Sequence, residues 1–258
     1  MKDVTHQFEV TLAQGKAEIT AAQRLRYSVF VEELGASGPM VDHANQLECD
    51  RFDSHATHFL LHDRCRATND QVVGVYRVMT AQDAHATGQY YCEDEYDLDP
   101  LKKNGGKLLE LGRSCLHPDY RGGSGLLYLW SAIAKFVQMH EIETLFGVAS
   151  FHGVDVDALS APLSLLHAQH LAPKHLRVTA KPAGAQPMPL IEPEKINRIA
   201  ARRDTPALIK AYLRLGGMVG DGAFIDRDFN TTDICLILPT SAVNNMPRHF
   251  ETGSPCNV

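Results

Sequence analysis

Apolar and polar residues alternate along Phe8-Glu9-Val10-Thr11-Leu12, the period of a strand with one buried face. From Thr20 to Leu34 the period lengthens, and Leu25, Val29 and Phe30 fall on one side of an expected amphipathic helix. A loop carrying Gly35, Gly38 and Pro39 then runs into the acidic stretch Glu48 to Asp53. His58 to Asp63 and Val72 to Val78 read as a hairpin joined by the polar turn near Thr68-Asn69-Asp70. Residues 83–106 read as an irregular acidic excursion in which Glu93 to Asp97 is a solvated loop. Leu108 to Leu116 is a strand, Leu126 to Phe136 a largely buried helix, and Thr144 to Ala149 a further strand. Asp155 to His170 reads as helical, and Pro182 to Pro193 as a proline-rich crossing. Glu194 to Arg203 and Ala207 to Leu215 read as two more helices, Gly216 to Gly222 as a turn, and Ala223 to Ile225 with Asp233 to Leu238 as a closing hairpin. The elements compose an α/β protein with a mixed sheet. Neither a low-complexity linker nor a repeat divides the chain, so residues 1–258 are expected to form one domain.

Composition narrows the function classes. The 258 residues are 44% hydrophobic, enough for a large core, and the net charge of -6 argues against general nucleic-acid binding. Met1 to Phe8 lacks the apolar core of a signal peptide, and no run of about 18 apolar residues suggests a membrane span. The six cysteines (Cys49, Cys65, Cys92, Cys115, Cys235 and Cys256) are scattered, so free thiols in a reducing cytoplasm are expected. None of the 13 histidines shows a zinc-ligand spacing, and no metal is expected.

The chemistry concentrates in Leu108 to Gly125. A strand with one embedded carboxylate, Glu110, and one arginine, Arg113, leads through His117-Pro118-Asp119-Tyr120-Arg121-Gly122-Gly123-Ser124-Gly125 into a helix start. Unpaired backbone N–H groups at such a turn converge on an anion, and the phosphate of a pantetheine arm suits them. A buried charged pair is costly unless used or paired. Acyl transfer is the chemistry expected, with Glu110 either a general base, its pKa raised by burial, or an ion-pair partner of Arg113. Residues three apart on a regular strand face opposite ways, so a bulge at Gly112 is needed to bring Glu110 and Arg113 to one cleft.

Ordered pieces of the chain resemble the GNAT superfamily: Arg26-Tyr27-Ser28-Val29-Phe30, Glu48 with Asp50 and Asp53, Gly74-Val75-Tyr76-Arg77, and Glu110-Leu111-Gly112-Arg113. The resemblance is to the branch that depends on acyl-carrier protein and includes the acyl-homoserine-lactone synthases. Over the whole chain it is closer to the ornithine acyl-carrier-protein N-acyltransferases of ornithine-lipid synthesis, through His117 to Gly123, Tyr212 to Gly216 and Asp226 to Asp233. The resemblance implies a GNAT-like mixed, splayed sheet flanked by helices, with a C-terminal helical and hairpin extension.

It further implies Glu110 and Arg113 as catalytic residues, and Arg26, Phe30, Asp50, Asp53 and Arg77 around the acceptor. Asp50 and Asp53 suit a cationic amino acid such as ornithine, or serve as partners of Arg26 and Arg77. Cys115, Leu116, Arg121, Gly122, Gly123 and Gly125 would border the acyl-pantetheine. Ser124 and Leu126 stand where the superfamily's turn carries glycine or alanine, which favours one phosphate over a pyrophosphate. The donor implied is therefore acyl-4'-phosphopantetheine on acyl-carrier protein, with a 3-hydroxy fatty chain, and no bound cofactor. Lys195, Arg198, Arg202, Arg203, Lys210 and Arg214 form a basic surface suited to an acidic carrier or to peripheral contact with the inner membrane. An acyl-homoserine-lactone synthase is the alternative, opposed by the long C-terminal portion. His58 with Asp63, and His152 with Asp157, share the His-x4-Asp spacing of glycerolipid O-acyltransferases, whose companion motifs are missing. A non-catalytic carrier-binding module remains the third option.

Overall fold

A computed structural model describes residues 6–244. Among these, nine strands share one sheet: β1 (Phe8–Leu12), β2 (Thr57–Asp63), β3 (Val72–Thr80), β4 (Leu108–Leu116), β5 (Thr144–His152), β6 (Ala185–Gln186), β7 (Met218–Val219), β8 (Ala223–Asp226) and β9 (Thr231–Pro239). Their order is β1-β2-β3-β4-β5-β9-β8-β6, with β7 also on β9. Only β4 and β5 run parallel; the other pairs are antiparallel. Four longer helices flank the sheet: α1 (Lys16–Arg26), α2 (Gly125–Met139), α3 (Ser160–His170) and α4 (Ala207–Arg214).

Both faces of the sheet are covered, which is why its central strands read as nearly continuous apolar runs. In β2, Phe59 and Leu61 pack with Leu129, Ile133 and Phe136 of α2, while Leu60 turns to Ala22 and Leu25 of α1. Farther along that second face, Tyr91, Cys92, Tyr96, Leu98 and Leu101 cover Phe146 of β5 and Cys235 and Ile237 of β9. The stretch 83–106 thus contributes Tyr90 to Cys92, Tyr96, Leu98 and Leu101 to the core, while Asp94 and Asp97 are exposed as expected. Glu95, expected in solvent, is 4% exposed and Tyr96 is 0% exposed. The apolar residues on either side of Glu95 draw it inward.

Other boundaries shift for local reasons. The helix expected to Leu34 becomes π-helical over Tyr27–Glu33, and the Leu34 N–H bonds to the Val29 carbonyl at 3.2 Å. α3 begins only at Ser160 because the Asp155 carboxylate accepts the N–H groups of Asp157 and Ala158 in a turn. A short helix, Arg198–Asp204, starts where Asn197 caps the Ala200 N–H at 3.1 Å. Arg198, Arg202 and Arg203 on it are exposed. No described helix is long and apolar enough to cross a membrane. No disulfide joins the described cysteines; Cys256 and residues 1–5 lie outside the described residues.

The parallel pair sets the active geometry. β4 and β5 pair only through Leu108–Glu110 with Thr144–Phe146, then part. Gly147 stands at that fork, where a Cβ would lie 2.0 Å from the Leu111 carbonyl oxygen. Each strand keeps its outer neighbour beyond the fork: β4 remains on β3, and β5 on β9. The sheet therefore opens as a wedge without losing its flanks.

Candidate active site

A cavity of about 260 Å³ fills the wedge, bounded by Leu111 to Ser114 on one side and Leu145 to Ser150 on the other. It reaches both faces of the sheet. On the α2 face it meets Tyr76, Leu208, Tyr212, Leu236 and Leu238. On the opposite face it meets Tyr91, Arg113, Phe229 and Asp233. Phe30 and Leu34, from the π-helical segment, also line it, with Phe30 edge-on to Phe229 at 6.0 Å. Tyr76 and Tyr212 join β3 to α4 through a 2.6 Å hydrogen bond between their hydroxyls.

Arg113 enters this cavity because β4 is bulged. Arg77 lies opposite Gly112 and Val75 opposite Cys115, so Tyr76 alone faces both Arg113 and Ser114. Arg113 itself takes the left-handed conformation, φ 49°, which a non-glycine residue adopts only when held there. The bulge resets the strand's alternation and puts Glu110 and Arg113 on the same face, around Tyr91. The guanidinium sits 4.4 Å from the Tyr91 ring centroid and 4.8 Å from that of Phe229. Glu110 takes the other side of the same turn and accepts the Tyr91 N–H at 2.8 Å and the Cys92 N–H at 2.6 Å. Burial raises its pKa, opposed by those hydrogen bonds. Arg113 fronts the cavity, whereas Glu110 is absent from its walls.

The acidic loop and the arginines converge behind Arg113. Arg26 grips Asp53 with both Nη atoms, at 2.8 and 2.6 Å, and places its Nε 2.5 Å from Glu48 Oε2. Arg77 Nη1 donates to Asp50 at 2.6 Å and to Asp53 at 2.8 Å. Arg113 completes the set with Glu48 at 3.1 Å and Asp50 at 3.2 Å. Three cations and three anions balance in the interior, with Arg26 0% and Arg77 2% exposed. Burial pushes the Asp53 pKa up, but the bonds and charges of Arg26 and Arg77 outweigh it and hold the group well below the usual carboxylate range. Arg26, Asp50, Asp53 and Arg77 are therefore together, as partners of one another, and none of the four lines the cavity.

The residues expected to border a pantetheine are spread more widely. Cys115 is buried against Ala22, Leu25 and Val29, and burial pushes its thiol up to about 12. Leu116 packs into the α2 side of the core. At the turn, Gly122 has φ 75° and open space around its Cα, leaving the start of α2 accessible. Arg121 lies there, paired with Glu33 at 2.5 and 2.7 Å and bonded to the Leu116 carbonyl at 3.3 Å. His58 is buried, with Nε2 2.9 Å from the Asp53 carbonyl oxygen, while Asp63 accepts from the Tyr120 hydroxyl at 2.8 Å. His58 and Asp63 therefore do not pair with each other; Asp63 instead meets His6 Nδ1 at 2.8 Å.

Sequence reasoning used Asp226 to Asp233 only for the family resemblance and read Glu95 as part of a solvated loop. It did not bring together Glu95, Asp226 and Asp233, each of which places a ligand oxygen within 4.8 Å of the others. Asp233 carries the same signal that singled out Glu110, a carboxylate beside an apolar run, here Ile234 to Leu238.

A wedge between parallel strands, a bulged β4 and a helix start beside it define a GNAT acyltransferase, and residues 25–131 match the acetyltransferase (GNAT) domain family. The fold agrees with FeeM, an N-acyl amino acid synthase from uncultured soil microbes, at TM-score 0.51 and 14% identity over 93% of each chain. The chain belongs to the L-ornithine N(alpha)-acyltransferase family. It is 53% identical to the member from Rhodobacter capsulatus over 247 residues, 95% of each chain. To the Brucella abortus member it is 41% identical over 241 residues, 92% of this chain and 86% of the relative.

Proposed function

We propose that the protein transfers a fatty acyl chain, 3-hydroxylated in its preferred form, from acyl-carrier protein to the α-amine of ornithine. The observation that carries this reading is a cavity that crosses the sheet at the fork of β4 and β5, apolar toward Leu208, Leu236 and Leu238 and charged toward Arg113 and Asp233. An acyl chain suits the first side and a cationic amino acid the second. The amine nitrogen bonds to the thioester carbon, the carbon–sulfur bond breaks, and the surplus amine proton ends on the departing pantetheine thiol. Strand edges freed by the splay offer N–H groups to the carbonyl as charge develops. Arg113, fixed by Glu48 and Asp50, holds a positive charge at the same place. Glu110 acts through the Tyr91-Cys92 turn that it anchors, and Phe30 closes the cavity edge.

The donor's single phosphate would dock at the start of α2, where Arg121 turns from Glu33 to meet it; an exposed ion pair of this kind contributes little and exchanges readily. The exposed Arg198, Arg202 and Arg203 suit the acidic carrier surface or an anionic membrane face. Incubation with 3-hydroxyacyl-carrier thioesters and a panel of amino acids, followed by mass spectrometry, tests the reading. N-acylornithine is the expected product. Homoserine-lactone products would instead select the synthase alternative.

A further inference from the structure

Several buried side-chain atoms lack a hydrogen-bond partner among the described residues, including His62 Nδ1, Tyr90 OH and Trp130 Nε1, but Glu95 and Asp233 are the carboxyls among them that have no ion pair. Glu95, Asp226 and Asp233 bring three carboxylates together with no ion-pair partner among the described residues. Glu95 and Asp233 are each 4% exposed; Glu95 Oε2 and Asp233 Oδ1 have no hydrogen-bond partner, and the Ser150 and Thr231 hydroxyls beside the Asp233 carboxyl bring no charge to offset it. Asp226 Oδ1 accepts the N–H groups of Asp228 and Phe229, at 2.9 and 3.0 Å. Arg113, whose charge reaches the group, is already committed to Glu48 and Asp50. Asp226 and Asp233 line the cavity, on the side shared with Tyr91 and Phe229. Uncompensated carboxylates out of water are costly, so the arrangement calls for a cation with hydrogen-bond donors.

The size and chemistry of that cation can be narrowed. A divalent ion seeks about six oxygen ligands or more, so three carboxylates binding through one oxygen each would leave the rest of its shell to water inside a buried site. A primary ammonium carries three N–H donors, one for each carboxylate. The register places Asp233 opposite Ser150, three residues beyond Gly147 at the fork. At about 3.3 Å per residue that is roughly 10 Å, a separation that an amino acid with a short aliphatic side chain and its acylation partner can fill.

We propose that Glu95, Asp226 and Asp233 seat the distal ammonium of the acceptor, so that they determine its specificity while its α-amine points to the fork. This rests on the ornithine-acylating function proposed above. Asp233 and Glu95 are specificity residues and touch no reacting atom.

The test compares ornithine with norvaline, the same skeleton without the distal amine, at saturating donor. Wild-type protein should favour ornithine in kcat/KM by ~100-fold, as a buried charged site left unpaired would require. In Asp233→Asn and Glu95→Gln the ornithine KM should rise at least ~10-fold and the ratio fall toward one. A melting temperature for each variant separates this effect from misfolding. Ornithine should also raise the wild-type melting temperature more than norvaline does, a readout that needs no variant. An ornithine preference undiminished in both variants, or equal thermal shifts in wild type, would overturn the proposal. So would activity lost on EDTA dialysis and restored by a divalent metal. Wild-type protein that fails to acylate ornithine at all would instead remove the function on which the proposal rests.

Discussion

Glu110 and Asp53 lie outside the cavity lining, and each holds groups from other segments in place. Glu110 spends both oxygens on backbone N–H groups of Tyr91 and Cys92. In Glu110→Gln one oxygen becomes an NH2 that faces one of these donors, at a cost of about 1–3 kcal/mol. The expected outcome is a lower melting temperature together with slower turnover. Unchanged stability with a turnover loss of ~100-fold, restored as pH rises, would make Glu110 the general base instead. Asp53→Asn weakens the partnership of both Arg26 and Arg77, and a loss of about 3–5 kcal/mol in urea unfolding is expected, with donor and acceptor kinetics falling alike. A rise confined to the acceptor KM would show that Asp53 contacts the amino acid. The sequence allowed both readings of Asp50 and Asp53, because residue type and spacing do not reveal which oxygens an arginine occupies. Arg113 was legible only in part: the need for a bulge follows from strand alternation, whereas its left-handed φ of 49° lies on arginine, next to the glycine that seemed to invite it.

The elements most easily read are those whose two faces differ least in their demands. β2, β3, β4 and β5 are strongly apolar, and their observed limits lie within a few residues of the expected ones. α2 is also close in extent, but its buried side chains are only Leu129, Ile133 and Phe136, with Leu127 54% and Met139 73% exposed, where a largely buried helix was expected. The stretch 83–106 defeated the same approach, since Glu93 to Asp97 has the composition of a surface loop. Its burial follows from Tyr91, Cys92, Tyr96 and Leu98 packing on β5 and β9, a contact distant in sequence. The fork between β4 and β5 carries no sequence pattern beyond Gly147. Its test is Gly147→Ala: a Cβ placed 2.0 Å from the Leu111 carbonyl must push the two strands apart. Overpacking should cost about 1–3 kcal/mol, with a fall in acyl transfer out of proportion to the stability lost. A fully active Gly147→Ala enzyme would show that the root of the wedge tolerates a wider opening.

For the molecule as a whole, the basic helix surface and the internal carboxylates make opposite electrostatic demands. Acyl-carrier thioesters should outperform the matching acyl-coenzyme A, and the advantage should shrink between about 0.05 and 0.5 M salt as screening sets in. Charge reversal at Arg198, Arg202 and Arg203 should reduce the carrier-dependent rate and leave that with coenzyme A thioesters intact. Inside, burial raises the Asp233 pKa to about 6, with Asp226 adding to the rise and Ser150, Thr231 and Arg113 opposing it; Glu95 is raised too, by burial and by Asp233 and Asp226. A carboxyl raised on folding destabilises the folded state as pH climbs from its unfolded value through its folded one. Asp233→Asn should therefore melt higher than wild type at pH 8, and the gain should vanish near pH 4. The same carboxyls give acceptor recognition a chemical by-product. Burial and the neighbouring Asp233 and Asp226 bias Glu95 toward its protonated form, and an ammonium seated beside it favours the ionised one. Acceptor uptake is then a proton-releasing reaction, and its calorimetric heat should vary with the ionisation enthalpy of the buffer.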